Sequence, residues 1–176
     1  GYALTEDREY YYDDNYSDEN IQYELTCVDE NETALESDFA ECNTVRIYTN
    51  HNLGYPCFYS DDIEFNTDYN YKLMIDWKPI NLEGEIQIWL QDEAVGSYSP
   101  TPHNNYQIQL GILTETNDIG DGWYRGEFDI GVLNFNGNAN NARIRISPDR
   151  LSTGSPFQEN EFYLRNIKLV EMSEGA

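Results

Sequence analysis

Short runs of alternating apolar and polar residues, each broken after a few positions by Asn, Asp, Gly or Pro, constrain this chain more than any other feature. Ile21, Tyr23, Leu25 and Cys27 keep one phase, as do Val45 with Ile47, Ile63 with Phe65, and Tyr71 with Leu73, Ile75 and Trp77. The pattern goes on through Ile86, Ile88 and Leu90, then Ile108, Leu110 and Ile112, then Tyr124, Phe128 and Ile130, then Ala142, Ile144 and Ile146. It closes with a segment from Phe162 to Val170 after the turn Gly154-Ser155-Pro156. A period of two places successive side chains on opposite faces of a strand, so each run has one face to bury and one to wet. About eight to ten such strands with turn signals between them predict an all-β, antiparallel sandwich or barrel. Only Ala34 to Glu41 carries a helix-like pattern, and it is a turn or two long.

At 176 residues the chain is long enough for one domain with a sizeable core. Residues 1–20 are acidic and rich in Tyr, with Tyr10-Tyr11-Tyr12 followed by Asp13-Asp14-Asn15 and no sustained alternation. They read as a linker or N-terminal extension, or as a strand that only later contacts would fix, ahead of a β-sandwich over residues 21–176. The formal net charge of -23 repels phosphate backbones and anionic membranes, so nucleic acid and lipid surfaces are poor partners. No stretch approaches the roughly 18 consecutive apolar residues of a membrane span, and no signal peptide opens at Gly1, so a mature or excised soluble piece is expected.

Cys27, Cys42 and Cys57 allow at most one internal bridge, and their spacing fits neither a metal site nor a redox pair. A composition of 15 Tyr with only 10 Lys plus Arg resembles a secreted surface module, which sets the expected location outside the cell. The triplets Asn15-Tyr16-Ser17 and Asn31-Glu32-Thr33 match a glycosylation acceptor, but with so many asparagines they are assigned no function.

The segment Glu85 to Asp92 carries the most specific functional signal. Ile86, Ile88 and Leu90 share one face; Gln87, Trp89 and Gln91 share the other, so a tryptophan sits among amides on the wet side. An indole is a flat apolar platform for the C–H face of a pyranose, and amides both donate to and accept from hydroxyls. Gln107 and Gln109 repeat the pattern on the next segment, where a plain solvent face would mix Lys, Glu, Thr and Arg. The plainer alternative is a Trp packed under a loop or against the next strand. Arg143 and Arg145, out of phase with Ile144 and Ile146, and Arg46 with Tyr48 around Ile47, project from sheet surfaces in this reading. Arginine serves hydroxyl pairs or a uronate there, or is held in local ion pairs among 33 acids. Tyr98 and Tyr106 flank a Pro-containing loop that could rim a cleft; His103 within it reads as a surface residue. Trp77, in phase with Leu73 and Ile75, reads as core, and Trp123 after Asp121-Gly122 as packing.

From Ile21 to Glu171 the chain resembles the jelly-roll carbohydrate-binding modules attached to plant-polysaccharide-degrading enzymes. The segment from Asn66 to Lys78 takes the place of the family's turn and "Tyr-x-Leu-x-Phe" strand, and Glu85 to Asp92 that of its strand with outward ligand contacts. Asp121 to Phe128 echoes its Trp followed by an alternating strand, and Phe162-Tyr163-Leu164-Arg165-Asn166-Ile167-Lys168-Leu169 is similar to its closing strand. The resemblance implies a non-catalytic, monomeric module of a larger multimodular enzyme, secreted and acting at the plant cell wall, for example in a cellulosome. Its ligand would be a neutral β-linked polysaccharide of β-glucan, xyloglucan or xylan type.

One position departs from the family. The acid of the closing strand that commonly ligates a structural calcium is replaced by Arg165, which cannot be a ligand, so no cofactor is required. Asn117, Asp118 and Asp121, or Asp61 and Asp62, offer oxygens to a hard cation, with solvated turns as the plainer reading.

No catalytic residue is assigned. Glycoside hydrolysis needs two carboxylates about 5 to 9.5 Å apart. Glu127-Phe128-Asp129 is similar to the Glu-x-Asp-x-x-Glu strand of the sandwich glucanases, but Gly131 and Val132 stand where the second Glu belongs. His51 and His103 both lie outside alternating strands, which leaves a lyase without its His, Tyr and Arg set. The rival to a binding module is a surface adhesion or protein-interaction β-sandwich, with a hydrolase or lyase behind it. An adhesin would tend to show an exposed apolar patch or a long open edge strand, and the N-terminal tyrosines would suit such contacts.

Overall fold

A computed structural model describes residues 2–3, 11–12, 21–35, 43–51, 58–60, 63–66, 68–92, 107–130, 142–148 and 158–174. The described strands are β1 (Tyr2–Ala3), β2 (Tyr11–Tyr12), β3 (Ile21–Val28), β4 (Thr44–His51), β5 (Phe58–Tyr59) and β6 (Tyr69–Leu82). They continue with β7 (Ile86–Asp92), β8 (Gln107–Ile112), β9 (Asp118–Gly120), β10 (Trp123–Ile130), β11 (Ala142–Pro148) and β12 (Gln158–Glu174). There is no helix among the described residues, and residues 36–41 of the helix-like stretch lie outside them.

The strands form a jelly-roll β-sandwich, antiparallel at every described pairing. The seven-stranded sheet runs β3-β4-β12-β6-β10-β9 with β1 paired to β12, and the five-stranded sheet runs β2-β5-β11-β7-β8. Successive described strands stay in one sheet at β3 to β4, β7 to β8 and β9 to β10 and change sheet at every other step. Tyr2 and Ala3 pair with Leu169 and Lys168, and Tyr11 and Tyr12 with Tyr59 and Phe58, so parts of the stretch read as a linker or extension add strand to both sheets.

The core follows the alternation. Leu73, Ile75 and Trp77 of β6, Ile86, Ile88 and Leu90 of β7, Ile144 and Ile146 of β11, and Phe162 and Leu164 of β12 all face inward and are buried. Trp77 is thereby core, with its Nε1 donating to the Thr114 carbonyl at 3.2 Å. Ile63 and Phe65 are buried as expected, but Ile63 makes only a single bridge, to Ala142, instead of a strand.

One expected phase is broken. Ile112 was expected to share a face with Ile108 and Leu110, yet it lies level with Gln87 while Ile108 lies level with Leu90. The register shifts between Ile88 and Trp89 because β8 carries an extra residue at Leu110, and this bulge turns Ile112 to the outer face. Gly111 is what lets the bulge sit: a Cβ there would stand 2.9 Å from Phe128 Cε1.

The crossing from β6 to β7 is held by one buried amide. Asn160 is fully buried, and its Oδ1 accepts from the backbone N–H of Glu83 at 3.1 Å and of Gly84 at 3.0 Å. Glu83 completes the turn by accepting from the Glu159 N–H at 2.8 Å. Asn160→Leu keeps the volume, strands the Gly84 N–H and leaves the Glu83 N–H only its bond to the Glu159 carbonyl at 3.2 Å. The variant should lose about 1–3 kcal/mol of stability, read as a lower urea midpoint at unchanged m-value; an unchanged midpoint would show that the turn holds without it.

Candidate functional site

Strand β7 lies between β8 and β11, so the neighbourhood assumed in reading the amide face from sequence is present. Its inner row is fully buried, and the outer row follows from the pleat. Three rows cross the outer face. Gln109, Trp89 and Arg145 are level with one another, and the register continues to Tyr59 and Tyr11. Gln107, Gln91 and Arg143 make the second row; Ile112, Gln87 and Ser147 make the third. Directly opposed residues on adjacent antiparallel strands are about 4.5–5.5 Å apart at Cβ, so Gln109, Trp89 and Arg145 are neighbours, as are Ile112, Gln87 and Ser147.

The indole of Trp89 is half-buried and held from two sides. Its Nε1–H donates to Gln87 Oε1 at 2.9 Å, two residues along the same strand. From β11 the Arg145 guanidinium reaches over the ring, 5.2 Å from its centroid. This is a cation–π contact of the kind worth about 0.5–2 kcal/mol. The ring is therefore fixed before any ligand arrives, with its β8 side toward the exposed Gln109.

Two expectations need correction. Arg143 and Arg145 lie on the expected face but are not open surface: they are 5% and 7% exposed. All seven residues of β11 are buried, so this strand is covered on its outer face as well as its inner one. Tyr48 is not part of this constellation at all. It lies in β4 on the other sheet, where the Arg46 guanidinium stands 5.8 Å from its ring. Burial, then the carboxylates of Glu159, Glu161 and Glu24, raise its phenol above the ordinary value and keep it neutral. The side chains of Gln91 and Gln107, and Tyr98 and Tyr106 altogether, lie outside the described residues.

The outer face of the seven-stranded sheet has a different chemistry. Asp76 is 2% exposed, and its two oxygens accept from Arg125 Nε at 2.8 Å and Nη2 at 3.2 Å. Asn166 Nδ2 adds a third bond to Asp76 at 3.0 Å. A bulge in β12 aims that amide, with Asn166 at φ 51°. The hydrogen bond to Asp76 raises the Arg125 guanidinium further above its ordinary value. Nearby Arg165 stacks on Trp123, 3.8 Å from the ring centroid, and Trp123 packs with Val28 and Tyr163. Trp123 is thus a packing residue, as expected, and Arg165 is a stacked cation. Lys78 pairs with Glu32, and Arg46 with Glu161 at 3.2 Å and Glu24 at 3.5 Å.

The loop acids have local work too. Asp118 Oδ1 accepts from the Gly120 N–H at 2.8 Å, closing the turn into β10, and no group of three or more possible metal ligands occurs among the described residues. Asp61 and Asp62 lie outside them. Glu127 and Asp129 sit exposed on β10, away from Trp89, with Glu127 3.9 Å from Lys72. Cys27 is disulfide-bonded, which in a chain of three cysteines leaves one over.

Sequence reasoning missed Ser147 and Ile112 on the Trp89 face. Ser147 keeps the phase of Arg143 and Arg145, so the signal for it was present; Ile112 was hidden by the bulge.

No family model matches the chain, and no curated protein matches it. Among solved structures it is similar to a carbohydrate-binding module of the β-sandwich superfamily, with a TM-score of 0.48 and 10% identity over 94% of this chain and 58% of that one. It is also similar to a module specific for non-crystalline cellulose, with a TM-score of 0.43 and 17% identity over 81% of each chain. The cleaved K1 adhesin domain of Lys-gingipain from Porphyromonas gingivalis W83 gives a TM-score of 0.48 and 10% identity over 97% of this chain and 96% of that one. The chain thus spans little more than half of the first of these and most of the other two. These are likenesses of fold.

The Asp76 network is asymmetric, which a pair of variants can read. Arg125→Met strands a buried carboxylate on one amide and should cost about 2 kcal/mol or more, whereas Asp76→Asn leaves a half-exposed guanidinium to water and should cost less. Thermal midpoints in that order support the network; the reverse order contradicts it.

Proposed function

We propose that this protein binds a neutral β-linked plant polysaccharide on the outer face of its five-stranded sheet, without catalysing a reaction. The observation that carries the reading is the level row Gln109–Trp89–Arg145, in which a fixed indole stands between an exposed amide and a guanidinium. Stacking of a sugar ring on Trp89 supplies the apolar contact, while Gln91, Gln107 and Gln109 exchange hydrogen bonds with hydroxyls. Gln87 and Arg145 act chiefly on the indole, holding its edge and covering one side.

Other observations agree with a binding role. The Glu127 and Asp129 carboxylates lie on the other sheet, and Arg125 and Asp76 satisfy each other. A disulfide at Cys27 fits a protein that works outside the cell. A net charge of -23 suits an uncharged ligand better than a polyanion. A place as one monomeric module in a larger multimodular enzyme completes the proposal.

Electrophoresis through gels containing β-glucan, xyloglucan, xylan, mannan or a polyuronate tests this directly. Retardation by one or two of the neutral polymers is expected, and Trp89→Ala should abolish it while lowering the thermal midpoint by only a few degrees, in line with about 1 kcal/mol for the lost stacking and cation–π contact. Free migration in every gel would overturn the proposal in favour of a protein-binding sandwich, and retardation by the polyuronate alone would overturn its neutral ligand.

Gln87 has its own signature. Gln87→Glu keeps an acceptor for the indole N–H and should keep most of the affinity, whereas Gln87→Leu should weaken binding several-fold. Equal losses in a titration would show that Gln87 donates to the sugar instead of holding the ring.

A further inference from the structure

At the open edge of the sandwich, where β8 approaches β10, the surface holds a groove of about 240 Å³. Ile112 and Phe128 give it an apolar lining, and Thr114, Thr116, Arg125 and Glu127 give it polar groups. That volume is small beside the roughly 300–1,000 Å³ of drug-sized sites and suits a single sugar ring.

The groove is continuous with the Trp89 face through one residue. Ile112 is level with Gln87 on the outer side of the five-stranded sheet, and it also lines the groove. Gln87 is itself bonded to the Trp89 indole. From Trp89 the way leads two residues along β7, on the order of 7 Å, and then over Ile112 into the groove. The same bulge that broke the expected phase of β8 creates the link, since without it Ile112 would point into the core.

The lining is suited to hydroxyls. Thr114 Oγ1 and Thr116 Oγ1 lie 2.8 Å apart and are exposed, so the pair presents both donor and acceptor capacity. Arg125 is held by both oxygens of Asp76, which fixes the plane of the guanidinium while leaving its side chain 37% exposed. Glu127 supplies an exposed carboxylate on the same strand. Gly126, between them, bears no side chain; a Cβ there would meet both Phe128 Cε2 and Leu113 Cδ2 at 3.1 Å. The Arg125 guanidinium and the Glu127 carboxylate bring donors and acceptors to the same groove.

We infer that the groove is a second sugar subsite, taking a further ring of the same polysaccharide chain that stacks on Trp89, so that the chain passes over Ile112 and round the edge of the sandwich. The inference rests on the polysaccharide reading of the Trp89 face. It adds a requirement that reading does not make: ligands long enough to reach from the indole to Thr116 bind more tightly than shorter ones.

Calorimetric titration with β-1,4-linked glucose and xylose oligomers of two to six sugars tests it. For one series, affinity should rise by about tenfold when the oligomer becomes long enough to enter the groove. Thr116→Phe, which fills the groove from an exposed position, and Glu127→Ala should both erase that gain and leave the shorter oligomers unchanged, with thermal midpoints close to that of the parent. An affinity that stays flat with length, or a gain that survives both variants, would overturn the second subsite while leaving the Trp89 site standing. Failure of every oligomer to bind the parent protein would overturn both.

Discussion

Burial of Ile86, Ile88 and Leu90 is the constraint on which the candidate site depends. The three are at most 1% exposed; Ile88 and Leu90 pair with both β8 and β11, and Ile86 pairs with β11 and accepts from the Leu113 N–H. Because the side-chain period of a strand is two, sealing that row in the core forces Gln87 and Trp89 outward; a slip of one residue would put both in the core. Pairing with β8 and β11 then lines up the amides and arginines beside the indole. The site is thus a by-product of core packing, and its precision is that of a central strand.

The two sheets divide their labour. The outer face of the seven-stranded sheet spends its charges on itself: Asp76 with Arg125 and Asn166, Arg46 with Glu161 and Glu24, Lys78 with Glu32, and Arg165 on Trp123. Asp76 is the buried charge among them, and there a carboxylate without its partners is costly, so its bonds tie β6 to β10 and β12. The outer face of the five-stranded sheet carries amides around an indole, groups that tolerate exchange between water and hydroxyls. Where the two faces meet, at Ile112 and Thr116, the apolar and hydrogen-bonding characters meet as well.

Much of this was legible in the sequence because a period of two is a strong local signal. The inward rows of β6, β7 and β11, the core placement of Trp77 and the wet position of Trp89 all follow from it. Adjacency of β7 and β8 followed from their nearness in the chain. What was not legible depends on distant partners. Tyr48 has the same local pattern as Arg143, but its strand pairs with β3 and β12 in the other sheet, and strand order is a property of the whole fold. Arg143 and Arg145 are buried on an outward phase, and alternation is blind to what covers a sheet face. The bulge at Leu110 breaks the very periodicity used to read β8; Gly111 beside it is the one local hint, and it gains meaning only against Phe128 of β10. Asp76, in a strand of otherwise plain alternation, becomes a network centre only when Arg125 and Asn166 arrive from two other strands.

The central claim, that a polysaccharide stacks on Trp89, is most directly tested by the three indole N–H signals in a nitrogen–proton NMR spectrum of the labelled protein. Trp77 is sealed in the core and Trp123 lies under Arg165, whereas Trp89 is half-exposed on the proposed face. Adding soluble fragments of whichever polymer retards the protein should move one indole signal, the one lost in Trp89→Ala, and leave the other two in place. Movement of the Trp123 signal instead, or of none, would contradict the account.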